Sequence, residues 1–257
     1  MSLAACAAMV ERGDPDRFAA TMAAPPTARA VLFPLYAFNL EVARAPWMTQ
    51  EAMIAEMRLQ FWRDAVAEAA EGRVRAHEVV TPLAQVIRDH ALPVAVLDAI
   101  VAARRWDIYR DAFADRAAFD AHLADTAGGL MWLAALALGA PAVAEPAVRD
   151  AGWAMGLANW LRAVPELEAR GRIPLVDGRA EAVAALAGDG LARLWRAMPA
   201  LRRLPGSAMP ALWAGWQTSG LLALAQREPG RVAAGALHLT EFQKRGGLLW
   251  RAFTGRP

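Results

Sequence analysis

Three carboxylates recur at four-residue intervals in Asp107-x-x-x-Asp111-x-x-x-Asp115. Residues spaced i, i+4 and i+8 share one face of an α-helix, so this spacing predicts a row of oxygen ligands. Such a row suits Mg²⁺, a hard cation held by a few carboxylates together with the phosphates of a substrate. The competing reading is a solvated face screened by Arg104, Arg105, Arg110 and Arg116. Metal-assisted loss of diphosphate normally needs a second acidic helix opposite the first, and the sequence offers no such partner for this row. Other chemistries are harder to build. The one cysteine, Cys6, lies in what reads as a frayed terminus with no partner histidine, and permits neither an internal disulfide nor a zinc cluster. His77, His90, His122 and His238 have no ligand spacing. Gly188-Asp189-Gly190 reads as a turn and not as a phosphate cradle, and Ser207 lacks a Gly-x-Ser-x-Gly elbow. Carboxylates and arginines remain.

The elements that must position them are helices. Alanine supplies about a quarter of the 257 residues and β-branched residues are scarce, which favours helix over strand. Apolar residues make up 56% of the chain and charged residues 21%, so disorder is excluded. The 28 basic residues, all arginine except Lys244, are interspersed with 26 acidic ones. A pI near 9.2 with that mixing gives weak attraction to anionic surfaces and no nucleic-acid footprint. Met1–Asp14 has no basic n-region and too short an apolar run for a secretory signal. The uncharged stretches Thr126–Ala144 and Gly206–Gln226 are interrupted by Gly, Pro and polar residues, so both are expected as buried helices and not membrane spans.

Proline and glycine divide the helical pattern. The predicted helices are Arg17–Met22, Thr27–Arg44, Thr49–Glu71, one opening at Thr81-Pro82, and one from Pro93 to Phe113. Arg116–Leu138, Ala147–Glu168, Glu181–Met198, Ala208–Gln226 and Arg231–Phe242 follow, with a short tail helix near Leu248–Phe253. In Thr49–Glu71 the stripe Ile54, Met57 and Phe61, widened by Met53 and Trp62, is expected to face the core, opposite Glu56, Gln60, Arg63 and Ala67. Without linker, repeat or composition shift, residues 1–257 read as one all-α, multi-helix domain. It has a short N-terminal segment (1–15) and a basic tail (242–257) that can close the bundle or lie on an anionic membrane or partner.

Several segments in order resemble the squalene/phytoene synthase family of prenyl transferases. They are Arg17-Phe18-Ala19; Thr27 through Leu35-Tyr36-Ala37-Phe38; Arg58-Leu59-Gln60-Phe61-Trp62-Arg63-Asp64; and Asp125-Thr126-Ala127-Gly128-Gly129-Leu130. Asn159-Trp160-Leu161-Arg162, continuing into Arg170-Gly171-Arg172-Ile173-Pro174-Leu175, and the end Leu248–Phe253 complete the set. The resemblance implies the isoprenoid synthase fold, with two Asp-rich helices holding Mg²⁺ against diphosphate. Here the first motif falls on Ala43, Arg44 and Trp47, and the second on Ala163, Glu166 and Leu167, of which only Glu166 is acidic. The loss implies no catalytic residue, no metal and no cofactor, with Arg44 further repelling Mg²⁺. Phe38-Asn39-Leu40-Glu41-Val42-Ala43 and Leu161-Arg162-Ala163-Val164-Pro165 are similar to the family's non-catalytic branch that acts in assembly of respiratory complex I.

That branch implies complex I subunits or assembly intermediates as partners, and a cytoplasmic protein peripheral to the inner face of a bacterial membrane. Two alternatives stay open: an active Mg²⁺-dependent phytoene or squalene synthase using Asp107, Asp111 and Asp115, and an isoprenoid- or lipid-binding protein without turnover. The candidate ligand or anion pocket comprises Tyr36, Phe38, Asn39, Arg58, Gln60, Trp62, Asn159, Arg162, Arg170 and Arg172. The competing reading is core packing for the aromatic residues, ion pairs with Glu166 and Glu168 for the arginines, and satisfied buried polar groups for Asn159 and Gln60.

Overall fold

Helix boundaries follow the punctuation. A computed structural model describes residues 2–256; Met1 and Pro257, the outer ends of the expected terminal segment and tail, lie outside the described residues. In chain order the helices are α1 (Leu3–Gly13), α2 (Pro15–Ala23), α3 (Pro26–Arg44), α4 (Ala52–Ala70), α5 (Val80–Asp89), α6 (Val94–Ala103) and α7 (Arg116–Leu123). They continue as α8 (Gly129–Ala137), α9 (Glu145–Ala169), α10 (Ala180–Leu201), α11 (Met209–Trp213), α12 (Thr218–Arg227), α13 (Gly230–Ala233) and α14 (Glu241–Thr254). Among the described residues there is no strand. Asp14 caps α2, its carboxylate accepting from the Arg17 N–H at 2.9 Å with Pro15 in the first turn, a pairing that satisfies an otherwise orphaned donor.

The long helix α9 is the axis of the bundle, packed against α7, α8, α10, α12 and α13, while α3 packs on α1, α2, α5 and α8. Fully buried Trp153, Phe38, Leu32, Leu130 and Leu133 belong to one continuous core. α9 comes close to its neighbours because Gly152 and Gly156 carry no side chain. A Cβ at Gly152 would lie 2.7 Å from the Ala127 carbonyl oxygen, and one at Gly156 2.6 Å from the Ala127 Cβ. The segment they face, Ala124–Gly128, is a π-helical turn between α7 and α8, where the Thr126 hydroxyl donates to the His122 carbonyl at 2.6 Å.

Several expectations are corrected. The helix expected to reach Phe113 ends at Ala103 and tightens into a 3-10 turn over Arg104–Asp107. Asp107, Asp111 and Asp115 therefore never share a helical face. Asp107 is buried, Asp111 is exposed in a loop, and Asp115 caps α7 by accepting from the Ala118 N–H at 2.8 Å. In α4 the buried stripe is Ala55, Leu59, Trp62, Val66 and Ala69, with Met53, Ile54 and Met57 exposed. The stripe keeps helical period and includes the expected Trp62, but alanines take places expected for Met53 and Met57 where α4 meets α5 and α6. The stretch expected as Ala208–Gln226 is broken by turns over 214–217. The stretch expected as one helix over Arg231–Phe242 holds the end of the short α13 and, from Glu241, the start of the tail helix, which begins earlier than expected. Cys6 is not frayed: it is buried in α1, and burial pushes its thiol up to about 11.

Candidate functional site: a cavity between two facing helices

A cavity of about 610 Å³ opens between α3 and α9, lined also by the turn joining α1 to α2, by Arg104 and Asp107 of the 3-10 turn, by His122 and Leu123 at the end of α7, and by Gln217, Thr218 and Leu221 at the start of α12. From α3 it receives Asn39, Leu40 and Ala43, with Trp47 just beyond the helix; from α9 come Asn159, Arg162, Ala163, Glu166, Leu167 and Arg170. Five of the six positions where the family resemblance implies carboxylates therefore line one space. The sixth does not. Arg44 points out of it, exposed and 3.8 Å from Glu41, and it lines a separate shallow cleft with Arg58, Phe61 and His77. The expected repulsion of a cavity cation by Arg44 is withdrawn on this geometry.

Charge in the cavity is paired. Arg17 meets Asp14 at 2.9 Å, Arg162 meets Asp16 at 3.1 Å, and Arg104 lies 3.7 Å from Asp107. Arg170 is bonded to Glu166 and sits 4.8 Å over the Trp47 ring, while Arg172 sits 4.9 Å from the same ring. Two guanidiniums thus lie on an aromatic residue at a position where the resemblance implies an acid, an attraction to the ring quadrupole that needs no metal. Arg172 also donates to the carbonyls of Asp107 and Tyr109.

The floor is polar and buried. Arg17 and Arg104 each keep a buried Nε–H without a hydrogen-bond partner, as do the acceptors Asp107 Oδ2 and Gln217 Oε1. Burial lowers the Arg104 guanidinium from its ordinary range and raises the Asp107 carboxyl, each partly opposed by the other's charge. His122, between Trp160 at 5.1 Å and Phe113 at 5.4 Å, is pushed down to about 3 by burial and by the nearby Arg104 charge, so it is neutral at physiological pH.

The donor set does not fit Mg²⁺. Ala43, Trp47, Ala163 and Leu167 offer no oxygen ligand, Glu166 is held by Arg170, and Asp14, Asp16 and Asp107 are each paired with an arginine. Among the described residues no group of three His, Cys, Asp or Glu gathers to hold a metal ion.

Of the pocket residues expected from sequence, the cavity brings together Asn39, Asn159, Arg162 and Arg170. Tyr36, Phe38 and Trp62 are core: all three are buried, Phe38 packing on Trp62 at 5.6 Å and Tyr36 beneath the Arg17 guanidinium. Gln60 is exposed and donates to Asp64 at 2.7 Å, so it satisfies no buried group. Arg58 is exposed on the outer cleft and Arg172 lies at the rim. Sequence reasoning missed Arg17, Arg104 and Gln217 as cavity residues. Arg17 carried a signal, since it shares the buried face of α2 with Ala20 and Thr21. Nothing in the run Arg104-Arg105 tells the buried arginine from its exposed neighbour.

The chain is 26% identical to complex I assembly factor 6 of Bos taurus over 65% of its own length and 51% of that protein, and 26% identical to the Homo sapiens protein over 62% and 48%. It is 29% identical to the Drosophila melanogaster homologue over 66% and 53%. The chain thus spans about half the length of the curated relatives it matches. Its fold superposes on a dehydrosqualene synthase solved with ligand (TM-score 0.81, 16% identity, 98% of this chain and 95% of that one). It also superposes on squalene synthase HpnC of Alicyclobacillus acidocaldarius (TM-score 0.73, 16% identity, 88% and 93%). The family model of squalene/phytoene synthase matches residues 10–177, a span holding both α3 and α9, and the chain belongs to that family.

Proposed function

We propose that the protein is a non-catalytic member of its family that acts by binding, in assembly of respiratory complex I. The observation that carries this reading is the pair of facing helices. Where diphosphate departure needs charge neutralised on both sides, α3 and the turn after it offer Ala43 and Trp47, α9 offers Ala163 and Leu167, and arginines occupy the rim. Removing one electrostatic contact to a developing anion costs about 3–4 kcal/mol, or 10²–10³ in rate. Removing ligands from both helices costs far more. Assembly is the favoured role because the curated relatives are complex I assembly factors.

Two measurements test it together. Purified protein incubated with Mg²⁺ and farnesyl or geranylgeranyl diphosphate yields no condensation product, and turnover would refute the reading. Deleting the gene lowers complex I activity and leaves carotenoid and hopanoid content unchanged; the reverse pattern would assign the protein to isoprenoid synthesis.

A second reading is favoured by the four arginines that line the cavity, Arg17, Arg104, Arg162 and Arg170, beside the apolar Leu40, Leu123, Met155 and Leu221. The guanidiniums give the charge to receive a phosphate or other polar head whose tail lies along the apolar wall, so the protein binds an isoprenoid amphiphile without reacting. Farnesyl monophosphate, added without Mg²⁺, then raises the thermal midpoint, and Arg104→Met diminishes the response. An unmoved midpoint would leave assembly alone.

A further inference from the structure

A surface helix of a globular protein buries its apolar stripe and exposes its polar face; the C-terminal helix packs only Leu248 and Ala252 partly against the core and leaves its largest apolar side chains outside. At about 100° per residue, positions 242, 249 and 253 fall within an arc of about 40°. Those positions are Phe242, Leu249 and Phe253, exposed by 87%, 69% and 90%, with Trp250 beside them at 60%. No residue of α14 is buried.

The helix is nonetheless well formed and firmly placed. Thr240 and Gln243 make a reciprocal capping box, and Gly255 ends the helix in a left-handed conformation. Two indoles of the bundle hold it by its backbone: Trp216 donates to the Lys244 carbonyl at 3.0 Å and Trp213 to the Arg256 carbonyl at 3.1 Å. A helix pinned this way presents its aromatic stripe outward as a fixed feature.

Charge says what covers the stripe. Residues 241–256 carry Lys244, Arg245, Arg251 and Arg256 against the single carboxylate Glu241. Beside the helix runs a groove of about 280 Å³, walled by Leu194, Met198, Leu201 and Leu212 and flanked by Trp195 and Trp250. Arg202, Arg251 and Arg256 line it and no carboxylate does. Most cavity arginines pair with an acid, yet among the described residues these three pair with none. The hydrogen bond of Arg251 is a long one, 3.5 Å, to the Gly247 carbonyl. Apolar walls under unpaired guanidiniums match an acyl chain under an anionic headgroup. Phe, Leu and Trp on one side of a basic helix match insertion at the boundary of headgroup and acyl layers.

We infer that α14 and the adjoining groove form a docking site for an anionic phospholipid surface: Phe242, Leu249, Trp250 and Phe253 enter the interface, and Arg202 and Arg256 take headgroup phosphates. The groove opens separately from the cavity between α3 and α9, with Thr218 in the wall common to both, and the inference does not depend on what that cavity does.

The test uses the full chain and vesicles of phosphatidylcholine with or without phosphatidylglycerol. The protein cosediments with the anionic vesicles, binds neutral ones at least about tenfold less, and is released by added salt. Phe242→Ser with Phe253→Ser, two nearly fully exposed sites that leave the circular dichroism and melting of the bundle unchanged, lowers partitioning at least about tenfold. Arg202→Gln with Arg256→Gln removes the preference for anionic over neutral vesicles. Failure to cosediment with anionic vesicles at low salt overturns the inference, as does binding that the serine pair leaves intact. A dimer in sedimentation velocity that the serine pair dissolves, without vesicle binding, would assign the stripe to a second copy of the chain and overturn it as well.

Discussion

At the scale of a single residue, Trp47 stands at a cavity position where the family resemblance implies an acid. An acid at this position would draw a cation into the cavity. The indole draws cations too, but those it finds are Arg170 and Arg172, already part of the chain and already neutralised in part by Glu166. On the proposed non-catalytic reading, the positive charge at the rim belongs to the chain's own arginines, and no added ion is expected to bind there. MgCl₂ is accordingly expected to move the thermal midpoint no more than NaCl of equal ionic strength. In Ala43→Asp with Ala163→Asp, two carboxylates face each other beside Glu166, and Mg²⁺ becomes stabilising, by about 2.7 kcal/mol at a hundredfold excess over its dissociation constant. An equal response in both proteins would show that the unaltered cavity already holds the ion.

His122 gives a prediction with a definite sign. Its folded value, about 3, lies below the unfolded value of 6.5, so between the two the unfolded chain binds the extra proton. Its contribution is complete above pH 6.5 and is lost as pH falls through that window. The loss is about 1.4 kcal/mol per pH unit once below 6.5. His122→Phe, which keeps the ring among Trp106, Phe113 and Trp160, flattens the decline of the urea midpoint between pH 7 and 5.5; an unchanged slope would place the acid sensitivity elsewhere. These residue-level facts were unevenly legible. The loss of acids at the motif positions can be read directly from the letters, but whether Arg44 or Ala43 faces the cavity depends on helical phase, and a one-residue difference turns a side chain by about 100°.

Among elements, the π turn over Ala124–Gly128 and the glycines of α9 form one device. The extra residue in the turn widens the helix just where α9 crosses, and Gly152 and Gly156 supply the room. Gly152→Ala must displace the Ala127 carbonyl or the Gly128 backbone, not the flexible end of a side chain. A cost of about 1–3 kcal/mol is expected, a fall of about 2–4 °C in thermal midpoint per kcal/mol for a chain of this size. Gly178→Ala, with nothing within 4 Å of the added methyl, stays within about 0.5 kcal/mol. If both substitutions cost the same, close packing is not why Gly152 is glycine.

The small-residue run that begins at Asp125 was visible in the sequence, yet a π turn and a continuous helix share almost the same pattern, so Arg116–Leu138 read as one element. The stripe of α4 failed for a related reason. Hydropathy weighs Met53 and Met57 above Ala55 and Ala69, yet the alanines are buried with Leu59, Trp62 and Val66 while both methionines are exposed, because helical phase and not hydropathy decides which side faces the bundle. Helix existence was legible nearly throughout because alanine content and proline punctuation act locally. Breaks such as the turn over 214–217 follow from tertiary packing, which no local pattern encodes.

For the whole molecule, the core and the last helix are energetically separable. The fully buried side chains lie in α3 to α9 and their neighbours, whereas α14 touches the bundle mainly through α2 and α11 and buries none of its own residues. Ending the chain after Leu239 exposes Trp213 and Trp216, now 5% and 7% accessible, and frees two indole donors that water can then satisfy. The expected loss is about 1–3 kcal/mol, small against the burial along α9, so the shortened chain still unfolds in one cooperative transition with the helical circular dichroism of residues 2–239. A non-cooperative melt would mean that α14 organises the bundle. If cooperativity persists while vesicle binding disappears, helix α14 serves a surface outside the molecule, and its outward aromatic stripe is explained by what it meets there and not by what it packs against.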